Sequence, residues 1–450
     1  MLKAFRKLWN DERGNVLIIG GAALPILIGA AGLATDTIQW ALWKRELQRA
    51  ADSAAIAGVY ERVQSGDTEG VAGEVDHDLT LNQHTGMELL TGYPEIDFPA
   101  DDTVQDLTNQ VQVRLAVRKT LPFSSLFIDQ APQITATATA ASTPGTDDYC
   151  VVSLEDTTKT GIDASGSSEI IMDCGMITNS VASNAAAAGG SGSVTATVIA
   201  AAGGIQQSNN WDVGKYDPYV PAQDDPYADL EPSDTEKAVC TNSSLGVLNV
   251  NNSNTGGTID GDNFANNTVC LSSISIQSNR EYTLRDGVFL IDGGGINVQG
   301  TLNVINATLV LTNDSAASDA PIGTFDMNAS AVLNIDPPTG GAAWSDKWSG
   351  MAIYQDRRAV DNSPTGQISS NSPNKINGGS AGNVKGVLYF PKQQLTYNGG
   401  GNTVATCTQF VIKRIVFIGN NGTNITSDED ICGDDGIDPI VGGRKVRLVA

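Results

Sequence analysis

The sequence predicts a mainly β protein: a single N-terminal transmembrane helix, a small α+β spacer, and then a right-handed parallel β-helix-like solenoid. Three observations lead there. Residues 16–34 form one uncharged, almost wholly apolar run. Glycine is abundant at 48 residues while aromatics make up only 6%, a composition suited to many tight turns. From residue 149 onward, short β-branched runs alternate with Gly, Asn and Asp, and no helical periodicity lies between them. The resulting domain boundaries are 1–63 for the anchor and its continuing helix, 64–148 for the spacer, and 149–450 for an extracytoplasmic β-helix-like domain.

The 450 residues are enough for more than one domain. Their formal net charge is −24, from 27 Lys and Arg against 51 Asp and Glu. The basic excess sits before residue 50, so the rest of the chain is more anionic still. Such a surface repels phosphate backbones, whose binding relies on Lys and Arg, and nucleic acid is not expected as a partner.

The apolar run 16–34 begins after Arg13 and ends before Asp36. At 1.5 Å per residue it covers roughly 30 Å, the thickness of a bilayer core. Gly20, Gly21, Pro25, Gly29 and Gly32 are tolerated in such a helix, and small residues let a neighbouring helix come close. The alternative is a cleaved signal peptide ending near Gly32-Leu33-Ala34, although its apolar core would exceed the usual roughly 7–15 residues. Basic residues flank both ends: Lys3, Arg6, Lys7 and Arg13 before the run, Lys44, Arg45 and Arg49 after it. The expected topology is single-pass in a bacterial inner membrane, with a cytoplasmic N-terminus and the body in the periplasm or on the cell surface.

From residue 36 to 63 there is no proline and only Gly58, so the helix is expected to continue. Trp40, Trp43, Leu47, Ala50, Ala54 and Ala57 recur at spacings of three and four, one apolar stripe. It packs either on the protein's own body or on helices of an assembly.

The segment RGNVLIIGGAALPILIGAAGLATD, followed by WALWKRELQRAADSAAIAG, resembles the N-terminal signature of the Tad/TadG-like proteins of Flp pilus assembly. The match covers residues 13–58: Arg-Gly-Asn before an apolar run with an internal Pro, then an Asp, then a helix ending in Gln-x-Ala-Ala-Asp-x-Ala-Ala. The segment also resembles prepilin N-termini, with Ile19 standing where pilins have Glu. The resemblance implies a membrane-anchored structural component of Flp pilus assembly, with the lipid bilayer and other Tad/Flp assembly proteins as partners.

In the spacer, Val111, Val113, Leu115 and Val117 alternate with polar residues, as do Ile134, Ala136, Ala138 and Ala140. Both read as half-buried strands, joined through Pro122 and a Phe-Ser-Ser-Leu-Phe turn. The Leu-Pro-Phe…Ile-Thr-Ala-Thr-Ala pattern looks like the membrane-proximal module of TadG-like proteins.

In the body, 288–291, 296–298, 302–305, 308–311, 331–335, 351–354, 384–390, 409–412 and 415–418 are short strand candidates. Strands joined by turns of similar chemistry suggest stacked coils, with Gly at corners and Asn or Thr ladders between coils. A β-sandwich is the competing fold. The stretch 209–237, WDVGKYDPYVPAQDDPYADLEPSD with its neighbours, is rich in Pro and acids and reads as an acidic connector between halves of the body, or a docking segment.

Cys150, Cys174, Cys240, Cys270, Cys407 and Cys432 all follow the anchor, and none forms a CxxC pair. Disulfides in an oxidising compartment are the simplest account. Of the fifteen pairings possible for six cysteines, Cys150–Cys174, Cys240–Cys270 and Cys407–Cys432 are the most local.

No catalytic constellation is read, and neither a cofactor nor a metal is expected. His77 and His84 have no nucleophile motif around them. Asp163-Ala-Ser165-Gly-Ser167 matches the DxSxS pattern of von Willebrand A domains, but Lys159-Thr-Gly-Ile162 before it is no hydrophobic strand, so a β-helix turn is expected. Asp428, Glu429, Asp430, Asp434, Asp435 and Asp438 lack EF-hand order and read as solvated acidic turns. Asp356-Arg357-Arg358 is the one charged cluster after a strand that could meet a sugar acid. The chain is therefore read as a non-enzyme. The alternative to pilus assembly is a cell-surface adhesin or carbohydrate-binding β-helix protein, whose partner would be a surface glycan.

Overall fold

A computed structural model describes residues 12–82, 88–167, 169–361, 374–377, 382–399, 403–419, 423–426, 432–433, 437, 440–442 and 444–449. The chain divides into two compact units, Met1–Thr143 with Val446–Ala450, and Pro144–Lys445. In sequence, the larger unit is thus inserted ahead of the last strand of the smaller one.

The smaller unit begins with helix α1 (Glu12–Ser65), which continues through Pro25. Among the described residues there is one helix long and apolar enough to cross a membrane, and this is it. Most of its run from Ile19 to Ala34 is bare, with Ile26 72% and Leu27 67% exposed. Helix α2 (Val71–Leu81) and strands β1 (Glu95–Asp97), β2 (Thr108–Arg118) and β3 (Gln133–Thr143) follow. The sheet runs β1-β2-β3 and then the C-terminal strand Lys445–Val449, with β1–β2 and β2–β3 antiparallel. Alternation does what the sequence implies: Val111, Val113, Leu115 and Val117 of β2, and Ile134, Ala136, Ala138 and Ala140 of β3, are buried in one core. The second half of α1 lies on this face, and the first half does not.

The larger unit is mostly β and its pairing is predominantly parallel. One ladder of ten strands runs Thr268–Leu271, Glu281–Asp292, Thr301–Thr312, Met351–Gln355, Gly386–Gly399, Thr408–Gly419, Asp147–Ser153, Gly175–Thr178, Ser193–Ala201 and Trp211–Pro218. The strands nearest the start of the unit are therefore stacked beyond those nearest its end. A second ladder begins Val247–Val250, Ser273–Ile276, Ile296–Val298, Phe325–Met327 and Asn374–Asn377. A third begins Gly256–Asp260, Glu281–Asp292, Thr301–Thr312 and Val332–Asp336. The long strands Glu281–Asp292 and Thr301–Thr312 serve two ladders each, bending at Asp286 and Asn306, whose φ values of 53° and 47° are left-handed.

Alternate residues of these strands point to opposite sides, so each ladder has two faces. One side forms the main core, with Phe289, Leu309, Ile353, Leu388, Phe410 and Val151 in successive strands. The other side of the ten-strand ladder forms a second apolar cluster that includes Leu290, Val310, Tyr354, Tyr389, Val411 and Val152. Stacking identical positions in register packs similar side chains on one another, and each fully buried one contributes roughly 1.5–3 kcal/mol. The stretch 209–237, expected as connector throughout, is a strand over Trp211–Pro218: Trp211 is buried, and the segment pairs in parallel with 194–201. The parallel neighbour overrides the weak strand propensity of a segment containing Gly214 and Pro218.

Candidate functional site

The six helix residues singled out by periodicity divide along the unit. Trp40 is 41% exposed, Trp43, Ala50 and Ala57 are half-buried, and Leu47 and Ala54 are buried. The face that packs also contains Ala51, Ala55 and Val59, missed by the stripe. The signal was present, since 47, 51, 55 and 59 are four apart; the tryptophans drew the stripe to one side. Gly58 suits this packing, because a Cβ would lie 3.0 Å from Val111 Cγ1 and 3.2 Å from Val71 Cγ1 and would press both side chains back by a few tenths of an ångström. Polar residues beside the face tie helix to sheet: Gln48 Nε2 donates to Thr137 O at 2.9 Å, and Arg62 Nη1 to Gln110 O at 2.7 Å.

At the end of the apolar run, Asp36 is buried and accepts from the Phe123 amide at 2.9 Å, the Ser124 amide and the Ser124 hydroxyl. The Phe123 ring lies where a Cβ on Gly32 would be, 2.3 Å from Cδ2, so glycine admits the ring against the helix.

In the larger unit the six cysteines form Cys150–Cys174, Cys240–Cys270 and Cys407–Cys432, with Cα separations of 5.8, 5.0 and 5.2 Å. Cys240–Cys270 has a particular place. The ten-strand ladder ends at Trp211–Pro218, yet the chain resumes pairing at Val247–Val250, beside Ser273–Ile276 at the far end of the stack. Nine strand spacings of about 4.8 Å separate the ends, roughly 43 Å. Residues 219–246 cross that distance over the second apolar cluster.

The crossing is pinned at each step. The Gln223 amide donates to Asn179 Oδ1 at 2.7 Å, and Asn179 Nδ2 to Gln223 O at 2.8 Å. Tyr389 donates its hydroxyl to Asp225 at 2.6 Å, with Tyr227 edge-on to the Tyr389 ring. Tyr354 donates to Leu230 O at 2.8 Å and stacks on Tyr389 with centroids 5.2 Å apart. Helix α3 (Asp234–Ser243) opens with a Ser233–Glu236 capping box. Glu236 also accepts from Trp348 Nε1 at 2.8 Å and pairs with Lys347 at 2.5 Å. Burial works to raise the Glu236 carboxyl, but the hydrogen bonds from Lys347, Trp348 and Ser233 outweigh it and hold the group below its ordinary range. Three residues before the end of α3, Cys240 closes the disulfide to the first strand of the ladder.

Of Asp356, Arg357 and Arg358, it is Arg357 that reaches the crossing segment. Arg357 Nη1 donates to Leu230 O at 2.9 Å, and its guanidinium lies 5.3 Å from the Tyr389 ring centroid. Asp356 is buried and bonded to Arg358 and Thr312, which offset its burial and leave its carboxyl below the ordinary range. Asp163 lies in the strand Ile162–Ala164, where a turn was expected; flanking strands pair it with Val416 and Ala187. Burial raises its carboxyl against a hydrogen bond from Ser165. His77 is exposed on α2, while His84, Asp428, Glu429, Asp430, Asp434, Asp435 and Asp438 lie outside the described residues.

Among the described residues two groups bring metal-ligating atoms together. One is Cys240, Cys270 and Asp292, whose sulfurs are bonded to each other. The other is Asp260, Asp262 and Asp286, where Arg285 pairs with Asp286 at 2.5 Å and Asp260 at 3.5 Å. Asn306 adds a 2.8 Å hydrogen bond to Asp286.

No curated protein and no solved structure matches the chain. The helix that begins bare and ends buried against β2 and β3 is another matter: its residues 14–61 match the Tad family, described as putative Flp pilus-assembly TadE/G-like.

Proposed function

We propose that this protein is a structural, membrane-anchored component of Flp (tight adherence) pilus assembly or anchoring, with no enzymatic activity of its own. The Tad match over 14–61 carries the reading, because that segment is both the apolar span and the helix on which the smaller unit is built. The larger unit is read as a right-handed parallel β-helix, a rod in the periplasm or on the cell surface. Three parallel ladders, strands shared between ladders and left-handed Asp and Asn bends support the coil, and the handedness is that of nearly all parallel crossovers. Three disulfides support an oxidising compartment. Arg357 is engaged by the crossing segment, and Asp356 and Arg358 bond each other, which leaves little of the cluster to act on a sugar.

Affinity isolation from native membranes tests this reading. Co-recovery of pilin or pilus-assembly proteins, and loss of pilus display on deletion, are expected; a deletion strain with normal pili and adherence would refute it. One observation favours the adhesin reading instead. At the last strand of the ladder, Tyr216 is half exposed beside Gln207, Ser208, Asn209 and Asn210, a polar hollow with one aromatic wall. Glycan binding that is lost in Tyr216→Ala, with pilus display intact, selects that reading.

A further inference from the structure

The loop 121–128 reads Leu-Pro-Phe-Ser-Ser-Leu-Phe-Ile, and its tip is bare: Leu126 is 73%, Phe127 74% and Ile128 46% exposed. Three large apolar side chains in a row are costly on a water-facing loop. The same loop is unusual in leaving no amide for water to satisfy from 123 to 128. The amides of residues 123 to 128 all have partners: Phe123 and Ser124 donate to Asp36, Ser125 to Leu121 O at 3.0 Å, Leu126 to Phe123 O at 3.1 Å, and Phe127 and Ile128 to Ser124 O at 2.9 and 3.0 Å. The side chains of Ser124 and Ser125 are also bonded, to Asp36 and to Pro122 O. Internal satisfaction of this kind is what a segment requires where water is scarce.

Its position is set by α1. Phe123 packs on Gly32, inside the apolar run of α1, and Asp36 holds the loop one turn later. The loop is therefore held beside the last turn of the span, where Ile28 and Leu33 are also exposed. The next turns of α1 carry groups that populate a membrane interface: Trp40, which is exposed, and Trp43, with Lys119 over its ring at 5.9 Å.

We propose that this loop is a second membrane contact, seating Leu126, Phe127 and Ile128 in the interfacial layer of the bilayer that α1 crosses. Asp36 then has a defined role as a positioning residue: it neutralises the loop's free amides and sets its depth. The contact gives the smaller unit two points of attachment, so that it cannot swivel freely about α1. The inference rests on reading the apolar run as a membrane span.

The full-length protein in phosphatidylethanolamine–phosphatidylglycerol vesicles provides the test. The described cysteines are all disulfide-bonded, so a single introduced thiol takes a spin label specifically. Labels at Leu126→Cys and Phe127→Cys are expected to collide with oxygen in preference to a water-soluble nickel chelate, as does a label at Ala30→Cys in the span; Thr80→Cys on exposed α2 provides the aqueous reference. Contact with water at 126 and 127, but lipid at 30, overturns the proposal and leaves the anchor standing. Water at 30 as well overturns both. Labels at 126 and 127 shielded from both reagents place a protein partner on the loop and also overturn the proposal. On the unaltered chain, a lipid-borne diazirine is expected to mark peptide 121–130, and an unmarked peptide counts against it.

Discussion

Phe410 lies opposite Val151 in a parallel pair, so a strand from the end of the larger unit is zipped to the strand that opens it. The pairing forces everything that follows. With 147–218 stacked beyond 408–419, the chain must return along the whole ladder before it can start the strand at Val247, and the segment 219–246 is that return. The Cys240–Cys270 disulfide and the Glu236, Tyr354 and Tyr389 hydrogen bonds are spaced along it.

Removing the disulfide end of that segment is expected to loosen it. Cys240→Ser with Cys270→Ser should destabilise the larger unit by about 2–4 kcal/mol. Chemical denaturation reads the loss, and proteolysis near Tyr227 and Lys237 should accelerate. Unchanged protection of 219–246 would show that the hydrogen bonds alone hold it.

Acid should act on the same segment through Glu236. Its folded carboxyl titrates below its ordinary value of 4.5, so its contribution is complete above about pH 4.5 and is lost as pH falls through the lower folded value. Hydrogen exchange of α3 against pH is the measurement. Glu236→Gln should weaken protection at neutral pH and flatten this acid-dependent loss.

Arg414 and Glu155 form an ion pair with both side chains wholly buried, and Arg414 reaches Asp361 with its other nitrogen. Glu155→Ala strips one counter-charge from a buried guanidinium and is expected to cost about 3–5 kcal/mol. Replacing Glu155 with Leu and Arg414 with Met together should cost less than the single change, since no buried cation remains. Denaturation midpoints of the two variants decide it.

Asn306 turns a corner at φ 47° and bonds Asp286, itself at φ 53°. Asn306→Ala should cost about 1–2 kcal/mol for the left-handed backbone alone. Asn306→Gly keeps the conformation and should cost less, a difference thermal unfolding can resolve. Equal losses would assign the whole effect to the hydrogen bond.

In the smaller unit, Ala54 is fully buried between α1 and the sheet. Ala54→Leu should destabilise by about 1–3 kcal/mol through overpacking. Trp40→Ala, on the exposed side of the helix, should leave stability nearly unchanged. A Trp40→Ala variant that folds but no longer co-purifies with assembly proteins would identify that side as the partner-facing one.

Local signals were legible where one physical rule governs. Loss of charge over 16–34 defines the apolar helix, and period-two alternation marks β2 and β3, because each depends only on neighbouring residues. Short β-branched runs likewise announced the parallel strands of the larger unit. The helix face was only half read: Leu47 and Ala54 pack inward, but Ala51, Ala55 and Val59 complete the face, since alanines carry little hydrophobic contrast and the sheet decides which ones it covers.

The sequence by itself determined the membrane-length helix, the β character of the rest and the Tad signature of 14–61, all properties of contiguous residues. Only the tertiary structure decided that Val151 meets Phe410, that 219–246 is pinned across a second apolar cluster, and that Phe123 rests on Gly32. These relationships join residues far apart in the chain, and no local pattern specifies them. They follow from which strand edges and apolar faces are left to be covered once the local elements exist.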